Sequence, residues 1–122
     1  MKGAHSMNEV VILHNPRCSK SRETLALLES RGIAPRVVDY LSTPPSAHQI
    51  EDILGRLAIE PRALMRRDES EYADLGLDAA ELTRSQLIAA MAEHPRLIQR
   101  PIVLANGKAA IGRPPEDVLS IL

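Results

Sequence analysis

The stretch from Val10 to Tyr40 constrains the fold more than any other. Val10 to His14 (VVILH) is a short apolar run with β-branched residues, which reads as a buried strand. A polar loop follows, and from Ser19 to Arg31 the pattern turns helical. Leu25 and Leu28 share a face there, and Gly32 is placed as the C-terminal stop. Pro35 to Tyr40 (PRVVDY) reads as a second strand. Strand, helix and strand within about thirty residues make a βαβ unit, which implies parallel strands and a right-handed crossover.

Beyond it, Pro44-Pro45 breaks the chain. Ser46 with Gln49 is a capping box, and Ile50, Ile53, Leu54 and Leu57 form a helical stripe behind it. Pro61 suits the first position of a helical turn over Arg62 to Arg67. Thr83 and Gln86 are a second capping box, with Leu87, Ile88 and Met91 on one face before Pro95 ends that helix. Pro101 to Ala105 returns to strand. Asn106-Gly107 signals a hairpin, and Lys108 to Ile111 is its return strand. Pro114 opens a closing helix with Val118, Leu119, Ile121 and Leu122 available to pack. The expected order is therefore βαβ, a group of helices, then ββα, in an α/β chain without repeats, low-complexity segments or linkers. At 122 residues one domain is expected. Met1 to Ser6 (MKGAHS) reads as an expression-vector scar, leaving residues 7–122 as that domain.

Composition excludes more than it assigns. Lys and Arg total 15 against 16 Asp and Glu, a net charge of −1, so no overall field favours nucleic acid or an anionic membrane. Phe and Trp are absent and only Tyr40 and Tyr72 are aromatic, which argues against base-stacking platforms. No apolar run approaches the ~20 residues of a membrane span. One cysteine, Cys18, rules out an intramolecular disulfide framework and an all-cysteine metal cage. No His/Cys/carboxylate spacing matches a metal site. A free thiol suits the reducing cytoplasm, the expected location, and without an exposed apolar stripe a monomer is expected.

Cys18 is placed between a strand and the first helix. Free N–H groups and the helix dipole there favour negative charge, so its thiol should ionise readily and attack well. Arg17, Lys20 and Arg22 add positive charge nearby, and Ser19 and Ser21 offer hydroxyl donors to an anion in the same loop. The opposing reading, a small buried hydrophobe, suits many free cysteines, but Asn15-Pro16-Arg17-Cys18-Ser19-Lys20-Ser21-Arg22 is too polar for a core segment. His14 ends the first strand. In a functional role it hydrogen-bonds within the loop or stabilises the thiolate by its charge; in the opposing reading it satisfies loop carbonyls. His94, before Pro95, suits a helix end, His48 reads as solvated, and His5 belongs to the scar.

The run His14-Asn15-Pro16-Arg17-Cys18-Ser19-Lys20-Ser21-Arg22 resembles the signature of the glutaredoxin-linked arsenate reductase family, the ArsC-like proteins. The likeness continues through Tyr40-Leu41, Thr43-Pro44-Pro45-Ser46, Arg62-Ala63-Leu64-Met65-Arg66, Tyr72, Leu75-Gly76-Leu77, His94-Pro95, Leu97 to Val103 (LIQRPIV) and Gly112-Arg113-Pro114-Pro115. It implies a thioredoxin/glutaredoxin-like mixed sheet, βαβ then ββα, with a helical insertion between the halves. It also implies a cis proline before the third strand, at Pro101, facing the active thiol. The family's catalytic thiol falls on Cys18 and its supporting histidine on His14. Its oxyanion-binding arginines fall on Arg66, Arg100 and Arg113. Sequence alone does not single out Arg66 from Arg62 or Arg67.

The implied activity is reduction of arsenate to arsenite through a Cys18 adduct. Glutathione, as co-substrate, attacks the adduct, and glutaredoxin completes the reduction; no bound cofactor is implied. A single cysteine agrees with an external resolving thiol. Two other functions compete. Cys18-Ser19-Lys20-Ser21 is a C-x-x-S pattern like that of monothiol glutaredoxins, so the substrate could be a glutathionylated one. Other relatives of the fold are redox-sensing regulators that bind RNA polymerase. Those carry a C-x-x-C switch, whereas this chain has Ser21 at the second position and keeps all three arginines.

Overall fold

The computed structural model describes residues 9–122. The expected scar at residues 1–6, with His5, and the expected start at Met7 lie outside the described residues. The chain divides into two compact units. One holds the chain up to Thr43 together with Arg100–Leu122, and the other is Pro44–Gln99.

The first unit is built on a four-stranded mixed sheet. Strands β1 (Val11–His14), β2 (Arg36–Asp39), β3 (Ile102–Ala105) and β4 (Lys108–Ile111) lie in the order β2-β1-β3-β4. β1 runs parallel to β2, with His14 opposite Asp39, and antiparallel to β3, which pairs antiparallel with β4. All four β1 residues are buried, as a central strand's unbroken apolar run requires. Helix α1 (Ser19–Ser30) makes the crossover, and Gly32, at φ 77°, takes the left-handed turn after it. Ile12, Leu28, Val103, Ala105, Val118 and Ile121 form the buried core of this unit. Asn106 and Gly107 both have positive φ, the requirement of a two-residue hairpin turn. The Asn106 amide also donates to the Ile121 carbonyl at 2.9 Å, tying the turn to the chain's closing segment.

That closing segment departs from expectation. It is a 3-10 helix over Pro115–Ile121, with Pro114 as the cap before it rather than its first residue. Residues three apart stack in a 3-10 helix. Val118 and Ile121 therefore share the buried side, while Leu122 is left exposed.

In the second unit, both capping boxes form, at Ser46/Gln49 and Thr83/Gln86, opening α2 (Ala47–Leu57) and α4 (Arg84–Glu93). Ile50, Ile53 and Leu54 on α2 and Leu87, Ile88 and Met91 on α4 are buried. A short helix, α3 (Ser70–Asp74), was not expected; it carries the buried Tyr72. The turn placed over Arg62 to Arg67 is shorter than expected, a 3-10 turn at Pro61–Leu64. It stops because Met65 turns extended and pairs antiparallel with Ile98. The Arg66 N–H then donates to the Leu97 carbonyl, and the Gln99 N–H to that of Leu64.

Candidate active site

Cys18 is the N-cap residue of α1, in extended conformation, with its thiol half-buried. Burial pushes that thiol up. The backbone N–H groups of Ser21 and Lys20 and the Arg100 guanidinium outweigh it, so the pKa falls below the ordinary thiol value. The helix entrance therefore acts as expected, but the charge that helps comes from Arg100, across the sheet. The side chains of the loop itself are engaged elsewhere. Arg22 donates to the Pro16 carbonyl at 2.9 Å, and Lys20 lies 3.5 Å from Glu23. Arg17 is exposed at the surface.

Two arginines named by the resemblance meet at this thiol. Arg113 Nη2 lies 3.9 Å from Cys18 Sγ, and Arg113 Nε donates to the Arg100 carbonyl at 2.8 Å. Arg100 Nε is buried without a hydrogen-bond partner among the described residues. The Arg100–Pro101 peptide bond is cis, as expected, and so is Arg113–Pro114, which was not anticipated. The Pro101 carbonyl accepts the Gly112 N–H at 2.9 Å, which anchors the residue before Arg113.

His14 is hydrogen-bonded within the loop. Its Nδ1 lies 2.7 Å from the Ser21 hydroxyl, which also accepts the Asn15 N–H at 2.9 Å. The Ser21 hydroxyl and His14 Nδ1 share this bond, its direction following the ring tautomer. Burial lowers the pKa of His14; Asp39, opposite it in the sheet, partly offsets this, and Arg22 adds to it. The shift favours the neutral ring, and that ring is tied into the loop through Ser21. Ser21 itself departs from expectation. It is fully buried and committed to His14 and Asn15, not offered to an anion. Ser19 opens α1 at the exposed surface. Asn15 builds the loop: its Oδ1 accepts the Arg17 N–H at 3.0 Å, and its carbonyl accepts the Cys18 N–H.

Ser21→Ala would leave the buried Asn15 N–H and His14 Nδ1 without that partner. A loss of about 1–3 kcal/mol is expected, read as a lower denaturation midpoint. Wild-type stability would show that the hydroxyl is not the keystone of the loop.

Two contributors escaped the sequence reading. Asp39 ends β2, and only the parallel register sets it beside His14. Gly112 precedes Arg113, where an added Cβ would sit 2.5 Å from Thr24 Oγ1 and 2.9 Å from Pro101 Cγ. Only glycine admits that approach of β4's end to α1, and a glycine-arginine pair between strand and proline was the one available signal.

A nucleophilic thiol, two guanidinium groups and a helix N-terminus make a place for a tetrahedral oxyanion. Comparison with known proteins agrees. The family model described as ArsC family matches residues 13–121. The chain belongs to the ArsC family. A protein named arsenate reductase from Neisseria meningitidis serogroup A is 52% identical over 117 residues, 95% of this chain and all of the relative. The uncharacterized protein YfgD of Escherichia coli K12 is 53% identical over 93% of this chain and 97% of its own. The solved structure of an arsenate reductase from Vibrio cholerae superposes with a TM-score of 0.93 at 56% identity, covering 94% of this chain and 98% of that one.

In this ArsC-family chain Arg66 belongs to the Pro44–Gln99 unit. There it is mostly buried, with Nη1 2.5 Å from Glu69 Oε2 and Nη2 3.8 Å from Asp68. Among the described residues no group of three or more His, Cys, Asp or Glu could hold a metal ion, and no helix is long and apolar enough to cross a membrane.

Proposed function

We propose that the chain is an arsenate reductase in which Cys18 captures arsenate and thiols from other molecules complete its reduction to arsenite. The observation that carries this reading is the lowered pKa of Cys18 with the Arg100 and Arg113 guanidinium groups gathered at it. Arsenate is a tetrahedral oxyanion, and forked guanidinium donors hold such groups well. The unpartnered Nε of Arg100 supplies a buried donor that an oxyanion can accept. Arg66 is the third arginine by family resemblance, and Ser19 adds an exposed hydroxyl.

The thiolate attacks arsenic, forming a sulfur–arsenic bond as an arsenate oxygen leaves as water. Covalent capture splits a two-electron reduction into easier steps. A second thiol attacks the adduct. Two thiols give up two electrons to become a disulfide, and arsenic falls from the pentavalent to the trivalent state. With Cys18 the one cysteine of the chain, that second thiol is external. Glutathione fills the role, and glutaredoxin regenerates the enzyme. The protein works as a monomer in the cytoplasm, where such thiols stay reduced.

The deciding assay supplies glutathione, glutaredoxin, glutathione reductase and NADPH. Arsenate-dependent NADPH consumption with arsenite as product is expected. Turnover of a glutathione mixed disulfide without any arsenate turnover would replace this reading with a monothiol glutaredoxin-like activity.

A further inference from the structure

The turn that carries the thiol is braced on both sides. The Cys18 N–H closes onto the Asn15 carbonyl at 3.0 Å, so Asn15-Pro16-Arg17-Cys18 is a four-residue turn with proline at its favoured second place. Asn15 is buried. Its Oδ1 accepts the Arg17 N–H at 3.0 Å, and its own N–H is bonded to the buried Ser21 hydroxyl. On the outer side Arg22 donates to the Pro16 carbonyl at 2.9 Å. The backbone of Arg17 is thereby held next to the sulfur-bearing residue, while Arg17 itself is exposed.

Most other charges around Cys18 are engaged. Arg22 is committed to Pro16, Lys20 faces Glu23, and Arg113 is bonded to the Arg100 carbonyl beside the sulfur. The Asp39 carboxylate, beside His14 in the sheet, accepts from the Leu41 N–H and the Ser42 hydroxyl. The ion pairs of this unit among the described residues, Lys20–Glu23 and Arg36–Glu9, leave Arg17 out. Between His14 and Arg22 the chain has no carboxylate. A guanidinium with its donors open therefore stands at a fixed point of the turn that bears the thiol. A thiol from another molecule has to approach that turn from solvent, and glutathione carries more carboxylate than ammonium charge.

We infer that Arg17 docks a carboxylate of the external thiol that attacks a Cys18 adduct, so that the site favours small carboxylate-bearing thiols over uncharged ones. This rests on the reading that the Cys18 adduct is resolved from outside. Arg17 is then a specificity-determining residue for the reductant, distinct from the arginines assigned to the oxyanion.

The test needs no arsenate. Cys18, the one cysteine of the full-length chain, is converted with 2,2′-dithiodipyridine to its thiopyridyl disulfide. An added thiolate attacks the Cys18 sulfur, a new disulfide forms, and 2-thiopyridone leaves and is read by its absorbance. Rates with glutathione and with β-mercaptoethanol are compared for the unsubstituted protein, Arg17→Ala, Arg17→Lys and Arg17→Glu. Arg17→Ala is expected to slow glutathione about two- to fivefold, the scale of an exposed ion pair, with the difference shrinking as salt rises. Arg17→Glu slows it further, and Arg17→Lys restores most of the rate. β-Mercaptoethanol, charged only at its attacking sulfur, is slowed less. Under arsenate turnover, Arg17→Ala should raise the KM for glutathione and leave that for arsenate unchanged. If Arg17→Ala slows both thiols by the same factor or slows neither, or if it raises the arsenate KM instead, the inference is overturned while arsenate turnover by the unsubstituted protein still stands. If the glutathione effect appears and arsenate is not turned over, the inference stands and the arsenate reading falls.

Discussion

Cys18→Ser is expected to end arsenate reduction while leaving the fold in place. A serine hydroxyl at this position has no accessible anionic form near neutral pH, so the sulfur–arsenic bond cannot be made. The fall is on the order of a thousandfold or more, the scale seen when a covalent nucleophile is removed. Stability should hardly change. Cys18 is the N-cap of α1, its thiol facing the Lys20 and Ser21 N–H groups, and serine is among the best N-cap residues for that place. A protein that melts like the unsubstituted chain and is inert toward arsenate is the predicted result. Retained turnover would move the chemistry off Cys18 and remove the basis of the proposed mechanism.

Arg100→Ala should act on two measurements at once. The Arg100 guanidinium lowers the Cys18 pKa by charge and by hydrogen bonding. Without it, the burial that opposes ionisation gains weight, so the pKa rises toward the ordinary thiol value and the thiolate fraction at neutral pH falls. The pH profile of Cys18 alkylation should therefore shift to higher pH. Oxyanion binding should also weaken. A hydrogen bond to a charged group is worth about 1.5–3 kcal/mol, or roughly ten- to a hundredfold in affinity. An alkylation profile unmoved by Arg100→Ala would show that the helix entrance alone tunes the thiol. Unchanged arsenate affinity would remove Arg100 from the oxyanion site.

Most of the regular structure was legible along the chain, because its signals are local. The capping boxes at Ser46/Gln49 and Thr83/Gln86 and the Asn106-Gly107 turn specify backbone geometry within a few residues. Where expectation failed, a distant partner had intervened. Met65 left the helical path to pair with Ile98, thirty-three positions on by the numbering. The closing helix tightened to 3-10 form, which brings Val118 and Ile121 onto one buried face. α3 is only five residues long and carries no capping signal to announce it.

The active-site loop divides along the same line. Its polar character, its place between strand and helix, and its single thiol are properties of consecutive residues, and they sufficed to single out Cys18. Family resemblance added the arginines, though nothing in their spacing says which would reach the sulfur. What each neighbour does was decided in three dimensions. Ser21 looked like an anion donor and is a buried brace, because the turn between β1 and α1 aims it at His14 and the Asn15 N–H. His14 looked able to carry charge, and burial lowers its pKa even with Asp39 opposite it across the parallel pair.

By itself, then, the sequence determined the βαβ crossover, the hairpin, the two capped helices and the one thiol, since these follow from backbone preference and composition over short spans. Only the tertiary structure decided that Arg100 and Arg113 converge on the thiol, with Gly112 making room for the approach. Charges and contacts act through space, and folding set residues eighty and more positions apart beside Cys18.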